Sequence, residues 1–334
     1  VAGALDEDAM NMFPKIAMAG LLLAGVLMAQ QPALPCCPEA AASDKQRVLR
    51  EKLEADIGRV ADRLDGVMGV AILDLTSGDT ILLHPDEVFA QASSIKIAVL
   101  AELYRQDEAA ATAKSGARLS DTYVVRGADL VPGSDIMLGL TPGVTTVTNR
   151  DLATMMVAVS DNSATNVLID RVGMENVNAM LRGLGLKHTM LRRKMLDLKA
   201  AAEGRENIST PREMMTLLTA LYGGKLLNKA NTDAYFKMLA THKDDYAARA
   251  LPDGVMTATK PGALEAVRNS CGVIFVEGRP FVLCVMTAYD RDERAAEQAI
   301  GDVAIAAYRY FSILSRATPY GRVVSPGDSG ASPR

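Results

Sequence analysis

Strand-like sequence occurs at two places far apart in this chain, and helical pattern fills the stretch between them. Residues 67–87, "VMGVAILDLTSGDTILLHPDE", read as two strands turning at Ser77-Gly78-Asp79. After Pro252 come three more runs, "VMTATKPG", "CGVIFV" and "FVLCVMTA", the last two joined by a turn at Glu277-Gly278-Arg279-Pro280. Strands joined by tight turns pair antiparallel, and a lone hairpin is marginal in water. The reading is therefore one antiparallel five-stranded sheet assembled from both groups. Two amphipathic helices flank the strands. The first, opening at Asp44 and ended by Gly66, spaces Val48, Leu49, Leu53, Ile57, Val60 and Leu64 by three and four. The second, Arg291 to Leu314, aligns Ile300, Val303, Ala307 and Leu314. N- and C-terminal helices that cover one face, with an all-helical lobe (107–250) inserted, make an α+β fold with a cleft between lobes.

Within the lobe, Thr148 and Asp151 form a capping box before "LATMMVAVS". Ser209-Thr210-Pro211 starts a further helix with proline at its first position. A hydrophobic share of 49% supplies a sizeable core, placed here at 45–315. A net charge of -4 and no tryptophan give nucleic acid neither an electrostatic footprint nor a stacking surface. His84, His188 and His242 are scattered without ligand spacing, so neither a metal nor a cofactor is expected. Cys271 and Cys284, each in an apolar run, read as buried free thiols.

The N-terminal part reads as an upstream extension (1–11), a signal peptide (12–29) and a Pro/Ala-rich linker (30–44). Lys15 precedes the apolar run Ile16–Ala29, which is shorter than the roughly 20 residues of a membrane span. Export to the periplasm or medium follows, as a monomer without a membrane span. Leu34-Pro35-Cys36 carries a weak lipidation pattern, at Cys36 or Cys37. The polar tail, 316–334, is expected to be disordered.

The chemistry centres on "QASSIKIAVLAELYRQ". Lys96 sits in the first turn of a helix, where the partial positive charge of the N-terminus disfavours a cation. Ser93 lies one turn before it on the same side. A serine needs a base to become a nucleophile, and a desolvated lysine near another cation can lose its proton and serve. Alone, Ser-x-x-Lys is a weak signal, and a capping serine explains it as well. Two further pieces follow in order: Ser160-Asp161-Asn162 between two helices, and Lys260-Pro261-Gly262 on the first strand after the lobe.

Ser-x-x-Lys, Ser-Asp-Asn and Lys-x-Gly in this order resemble the signature set of penicillin-recognising serine enzymes, class A β-lactamases above all. The resemblance runs from about Asp44 to Leu314. It implies the β-lactamase/transpeptidase-like fold, with Ser93 as acylated nucleophile, Lys96 as base or relay, and Ser160 as proton donor to the leaving nitrogen. It also implies that Asn162 binds the substrate's side-chain amide and Lys260 its carboxylate. The N–H groups of Ser93 and Ala263, beside Gly262, would form the oxyanion hole, and Arg268 in "AVRNS" would be a carboxylate-binding arginine.

Two departures stand out. Pro261 replaces the Thr or Ser of the strand motif and removes its hydroxyl. The glutamate that activates the deacylating water, two residues after an arginine in the family, is missing from "TMLRRKMLDLKAAAEGRENISTP". Met195 takes its place when the stretch is aligned from the left, Lys194 when aligned from Ser209-Thr210-Pro211. Asp197 is the nearest acid and the candidate replacement, ahead of Glu203 and Glu206. The expected function is hydrolysis of β-lactams or related acyl-D-Ala-type amides and esters through a Ser93 acyl-enzyme. A D-alanyl-D-alanine peptidase, an esterase or a sensor that acylates once and stops are the alternatives.

Overall fold

The computed structural model describes residues 39–113, 115–318 and 320–323. The signal-peptide, lipidation and upstream readings, most of the linker and the end of the tail lie outside them. In chain order the elements are α1 (Glu39–Arg63), β1 (Val67–Asp74), β2 (Thr80–Leu83), β3 (Phe89–Ala90), α2 (Lys96–Ala113), β4 (Thr122–Val124) and β5 (Thr146–Thr148). Next come α3 (Asn149–Ala158), α4 (Asn162–Val172), α5 (Met174–Gly183), α6 (Leu198–Ala202), β6 (Ile208–Ser209), α7 (Pro211–Tyr222) and α8 (Lys229–Leu239). The chain closes with β7 (Met256–Leu264), β8 (Val267–Phe275), β9 (Phe281–Ala288) and α9 (Glu293–Leu314).

The five long strands form one antiparallel sheet in the order β2-β1-β9-β8-β7, which joins the two sequence-distant groups through β1 and β9. Alternation along each strand divides the core in two. Val70, Ile72, Leu283, Val285 and Ile274 pack against Leu53, Ile57 and Val60 of α1 and Ile300, Val303 and Ala307 of α9. Ala71, Cys284, Met286, Ala258 and Val273 face the helical lobe and α2. The start signals act as read: Thr148 and Asp151 cap α3 reciprocally, and Thr210 caps α7 with Pro211 at its first turn.

Four details differ from the sequence reading. Helix α1 begins at Glu39, inside the expected linker. Strand β8 begins at Val267 rather than Cys271. At the start of the expected tail Val323 bridges Ala317, and Lys45 Nζ donates to Tyr320 O at 3.0 Å. Cys271 and Cys284 are joined as a disulfide, because the register sets them directly opposite each other with Cα atoms 4.1 Å apart. Facing side chains on one side of a sheet are within bridging reach. Among the described residues no helix is long and apolar enough to cross a membrane, and no His, Cys, Asp and Glu side chains cluster to hold a metal.

Candidate active site

The short strand β3 pairs with β6, and Gln91 N donates to Asn207 O at 2.8 Å, so the chain entering α2 is fixed on both sides. Ala92 then takes a left-handed conformation, φ 48°, and a 3-10 turn, Ala92–Ile95, leads into α2. Backbone strain of this kind costs about 1–3 kcal/mol and persists only where surrounding structure enforces it. Ser94 Oγ is tied back to Gln91 O at 2.7 Å. Ser93 is half-buried, between the buried Ala92 and Ser94.

Lys96 is buried and points to the break between α3 and α4. Its Nζ donates to Ser160 O at 2.6 Å, Ser160 Oγ at 2.9 Å and Asn162 Oδ1 at 3.1 Å. Ser160 reaches inward because its own backbone is left-handed, φ 59°. The neighbouring Asp161 enforces that turn. It caps α4 through Ala164 N at 2.9 Å and accepts from Ile136 N and Met137 N at 3.1 and 2.9 Å. From the strand side, Lys260 Nζ donates to the same Ser160 Oγ at 3.0 Å. One hydroxyl therefore bridges two amines, a continuous path for a proton.

Burial shapes the electrostatics of this cluster. Desolvation, reinforced by the charge of Lys260 and opposed by Asp161, holds the Lys96 ammonium well below its usual range. Desolvation also pulls Lys260 down to about 7, with Asp245 opposing the shift and Lys243 adding to it. A lysine shifted this way gives up its proton more readily than a free one. This is what offsets the unfavourable placement of Lys96 at a helix start.

Strand β7 crosses close to the nucleophile. A Cβ on Gly262 would lie 2.8 Å from Gln91 O and 3.0 Å from Ser93 N, so only glycine lets the strand approach. That approach sets strand β7 at Gly262 against the Ser93 N–H, with Ala263 the next residue along the strand. Two adjacent N–H groups suit a developing oxyanion.

The loop from 186 to 210 closes the other wall. Arg193, buried, pairs with Glu206 at 2.7 Å, and Asn207 Oδ1 accepts from Arg192 N and Arg193 N at 2.7 and 3.0 Å. Two residues beyond Arg193, the Met195 backbone is clasped by Asn166, through N–Oδ1 at 2.7 Å and O–Nδ2 at 3.1 Å. Met195 is 7% exposed, whereas Lys194 turns outward to Asp170 at 2.6 Å.

The structure thus brings together Ser93, Lys96, Ser160, Asn162, Lys260, Gly262 and Ala263. It does not bring Asp197 or Arg268 to them. Asp197 is exposed and accepts from Ala200 N at 2.9 Å, capping α6. Arg268 pairs in register with Ala263 and faces the opposite side of the sheet from Lys260. There it binds Glu297 at 3.0 Å, Glu293, and the carbonyls of Leu264 and Val267. On a strand a shift of one residue reverses the face. The neighbouring Asn269, opposite Gly262, has the site-side parity instead and donates to Ala90 O at 2.9 Å. Sequence reading also passed over Lys243, which lines the cavity beyond Ser160 and carries no periodic or motif signal.

A family model described as "Beta-lactamase enzyme family" matches residues 52–311. A carbapenem-hydrolyzing β-lactamase of Klebsiella oxytoca is 30% identical over 267 residues, covering 76% of this chain and 84% of that protein. A β-lactamase of Bacillus licheniformis is 27% identical over 250 residues, covering 73% and 78%. The crystal structure of a β-lactamase from Sphaerobacter thermophilus superposes with a TM-score of 0.69 at 31% identity, covering 78% of this chain and 96% of that one. The fold of the protein PBP-A is also similar, with a TM-score of 0.67 at 23% identity, covering 77% of this chain and 96% of that one. With the sheet, the buried lysines and Ser93 at the start of α2 placed as described, this chain belongs to the β-lactamase enzyme family, as a class A β-lactamase-like serine hydrolase.

Proposed function

We propose that this protein opens β-lactams, or cleaves related acyl-D-Ala-type amides and esters, through an ester on Ser93, and that it releases the acyl group slowly. The observation that carries this reading is the single Ser160 hydroxyl held between Lys96 and Lys260. Ser93 Oγ attacks the substrate carbonyl and its proton passes to neutral Lys96. The oxyanion is held by the N–H groups of Ser93 and Ala263. As the C–N or C–O bond breaks, Ser160 hands a proton to the leaving atom and is reprotonated from Lys96. In the present geometry Lys96 is bonded to Ser160 and Asn162; the contact to Ser93 tightens once substrate is in place. Asn162 keeps its Oδ1 on Lys96 and donates through Nδ2 to Pro132 O at 3.3 Å, at the edge where a substrate amide would lie.

Slow release follows from Met195. This reading is supported by Arg193, which pairs with Glu206, and by Met195 two residues further on, a thioether whose backbone is held by Asn166 where the resemblance, counted from that arginine, expects a glutamate. Loss of a positioned base costs about two to four powers of ten. Asp197 caps α6 and does not restore it. Export is supported by the Cys271–Cys284 bridge, since disulfides persist in oxidising compartments, and by the apolar run Ile16–Ala29. The test is pre-steady-state hydrolysis of a penicillin and a cephalosporin. A burst of one equivalent followed by slow turnover is expected, and neither burst nor turnover on any β-lactam or acyl-D-Ala ester would overturn the reading.

A further inference from the structure

With Arg268 on the far face of the sheet and Pro261 lacking a hydroxyl, the substrate end of the cleft has lost two groups that would hold a carboxylate. A cavity of about 310 Å³ lies there, bounded by Ser160, Lys260, Pro261, Lys243, Asp244 and Asp135. Its volume is at the lower end of small-molecule sites. Lys243 enters from the segment between α8 and β7, a part of the chain that none of the three motifs touches. Resting on the acyl-transfer reading above, we infer that Lys243 is a specificity-determining residue whose ammonium, across the cavity from Ser160 and beside Lys260, receives the substrate carboxylate.

Three observations support this. First, Lys243 Nζ makes one hydrogen bond, to Leu239 O at 2.6 Å at the end of α8. An ammonium has three donors, so two directions remain. Lys260 has less to give, with Ser160 Oγ at 3.0 Å and Pro261 O at 3.1 Å already bound. Second, the acids nearby are committed elsewhere. Asp245 accepts from Ser270 Oγ, Ala247 N and Ala248 N, at 3.0, 2.9 and 3.0 Å. Asp244 turns to Arg249 at 3.5 Å, and Asp135 is exposed on the rim. Among the described residues no carboxylate lies within ion-pair distance of Lys243. Third, the two ammonium groups are close enough that Lys243 disfavours the charge on Lys260, and burial lowers Lys243 itself to about 8. The buried Lys260 and the partly buried Lys243 share the field of Asp245, whose oxygens are bound to other donors, and an incoming carboxylate relieves both cations.

The test measures Ser93 acylation rates by intact mass for benzylpenicillin and its methyl ester, in the wild type, Lys243→Met and Lys243→Arg. Methionine keeps the buried stem and arginine keeps the charge. Loss of one charge-assisted hydrogen bond predicts about a 10- to 100-fold lower rate with the free acid in Lys243→Met. The ester rate should change less than about twofold, and Lys243→Arg should recover most of the loss. The acid-to-ester ratio within one variant is insensitive to how much of it is folded. An unchanged ratio in Lys243→Met overturns the assignment while leaving the acyl-transfer reading intact. Absence of any adduct on the wild type overturns both.

Discussion

Replacing Arg268 with alanine separates a structural arginine from a substrate-binding one. The Arg268 side chain is 10% exposed and is held by Glu297, Glu293 and two carbonyls, Leu264 O and Val267 O. Removing one partner of a fully buried charge network costs about 3–5 kcal/mol. Here Glu293 is 43% and Glu297 22% exposed, so water screens much of the loss. A destabilisation of about 2 kcal/mol is the reasonable figure after that discount. For a domain of this size that is a fall in Tm of roughly 4–8 °C. The assay pairs a thermal melt with KM for carboxylated and ester-blocked substrates. The structure predicts the lower Tm with both KM values nearly unchanged. An unshifted Tm with a selective rise in KM for carboxylated substrates would refute the placement of Arg268 behind the sheet.

Met195→Glu should accelerate release of the acyl group by about a hundred- to ten-thousand-fold, since it returns a carboxylate to a backbone already clasped by Asn166. The check is adduct lifetime by stopped mass analysis, and an unchanged lifetime would count against the loop alignment. Asp197→Ala should leave deacylation unchanged and lower stability by about 1 kcal/mol, the value of an N-cap, as read from a melt beside single-turnover rates. The pH dependence follows from Lys260, with Lys243, lowered to about 8, losing its charge in the same window. Burial lowers Lys260 to about 7 from 10.5, so its charge is present below pH 7 and is lost as pH rises through that value. KM for carboxylated substrates should therefore rise between pH 7 and 9 while that of an ester stays flat. A parallel profile for both would contradict the assignment of Lys260 to the carboxylate.

Much of the fold is legible because period-two apolar runs and capping residues are local signals. Strand β9 spans Phe281–Ala288 as the pattern "FVLCVMTA" says, and Thr148, Asp151, Thr210 and Pro211 start their helices. Ser93, Lys96, Ser160 and Lys260 are likewise legible, because the chemistry needs those residue types in that order. What stays hidden is register. In "AVRNS" the arginine and the asparagine are adjacent, and only the pairing of Arg268 with Ala263 tells which of them shares a face with Lys260. The same pairing joins Cys271 to Cys284, a contact that spacing along the chain does not reveal. The position of Asp197 has a local reason: an aspartate just before Leu198-Lys199-Ala200 finds the free N–H groups of a helix start. Lys243 lies in an aperiodic connection, and its meaning appears only once Lys260 is seen beside the same cavity.

The central claim is that Ser93 is the atom acylated. It is tested most directly by incubating the wild type and Ser93→Ala with benzylpenicillin and reading intact mass, followed by peptide mapping. The account predicts one long-lived acyl group per wild-type chain, on the peptide containing Ser93, and none on Ser93→Ala. An adduct on another residue, or an equal adduct on Ser93→Ala, would contradict it.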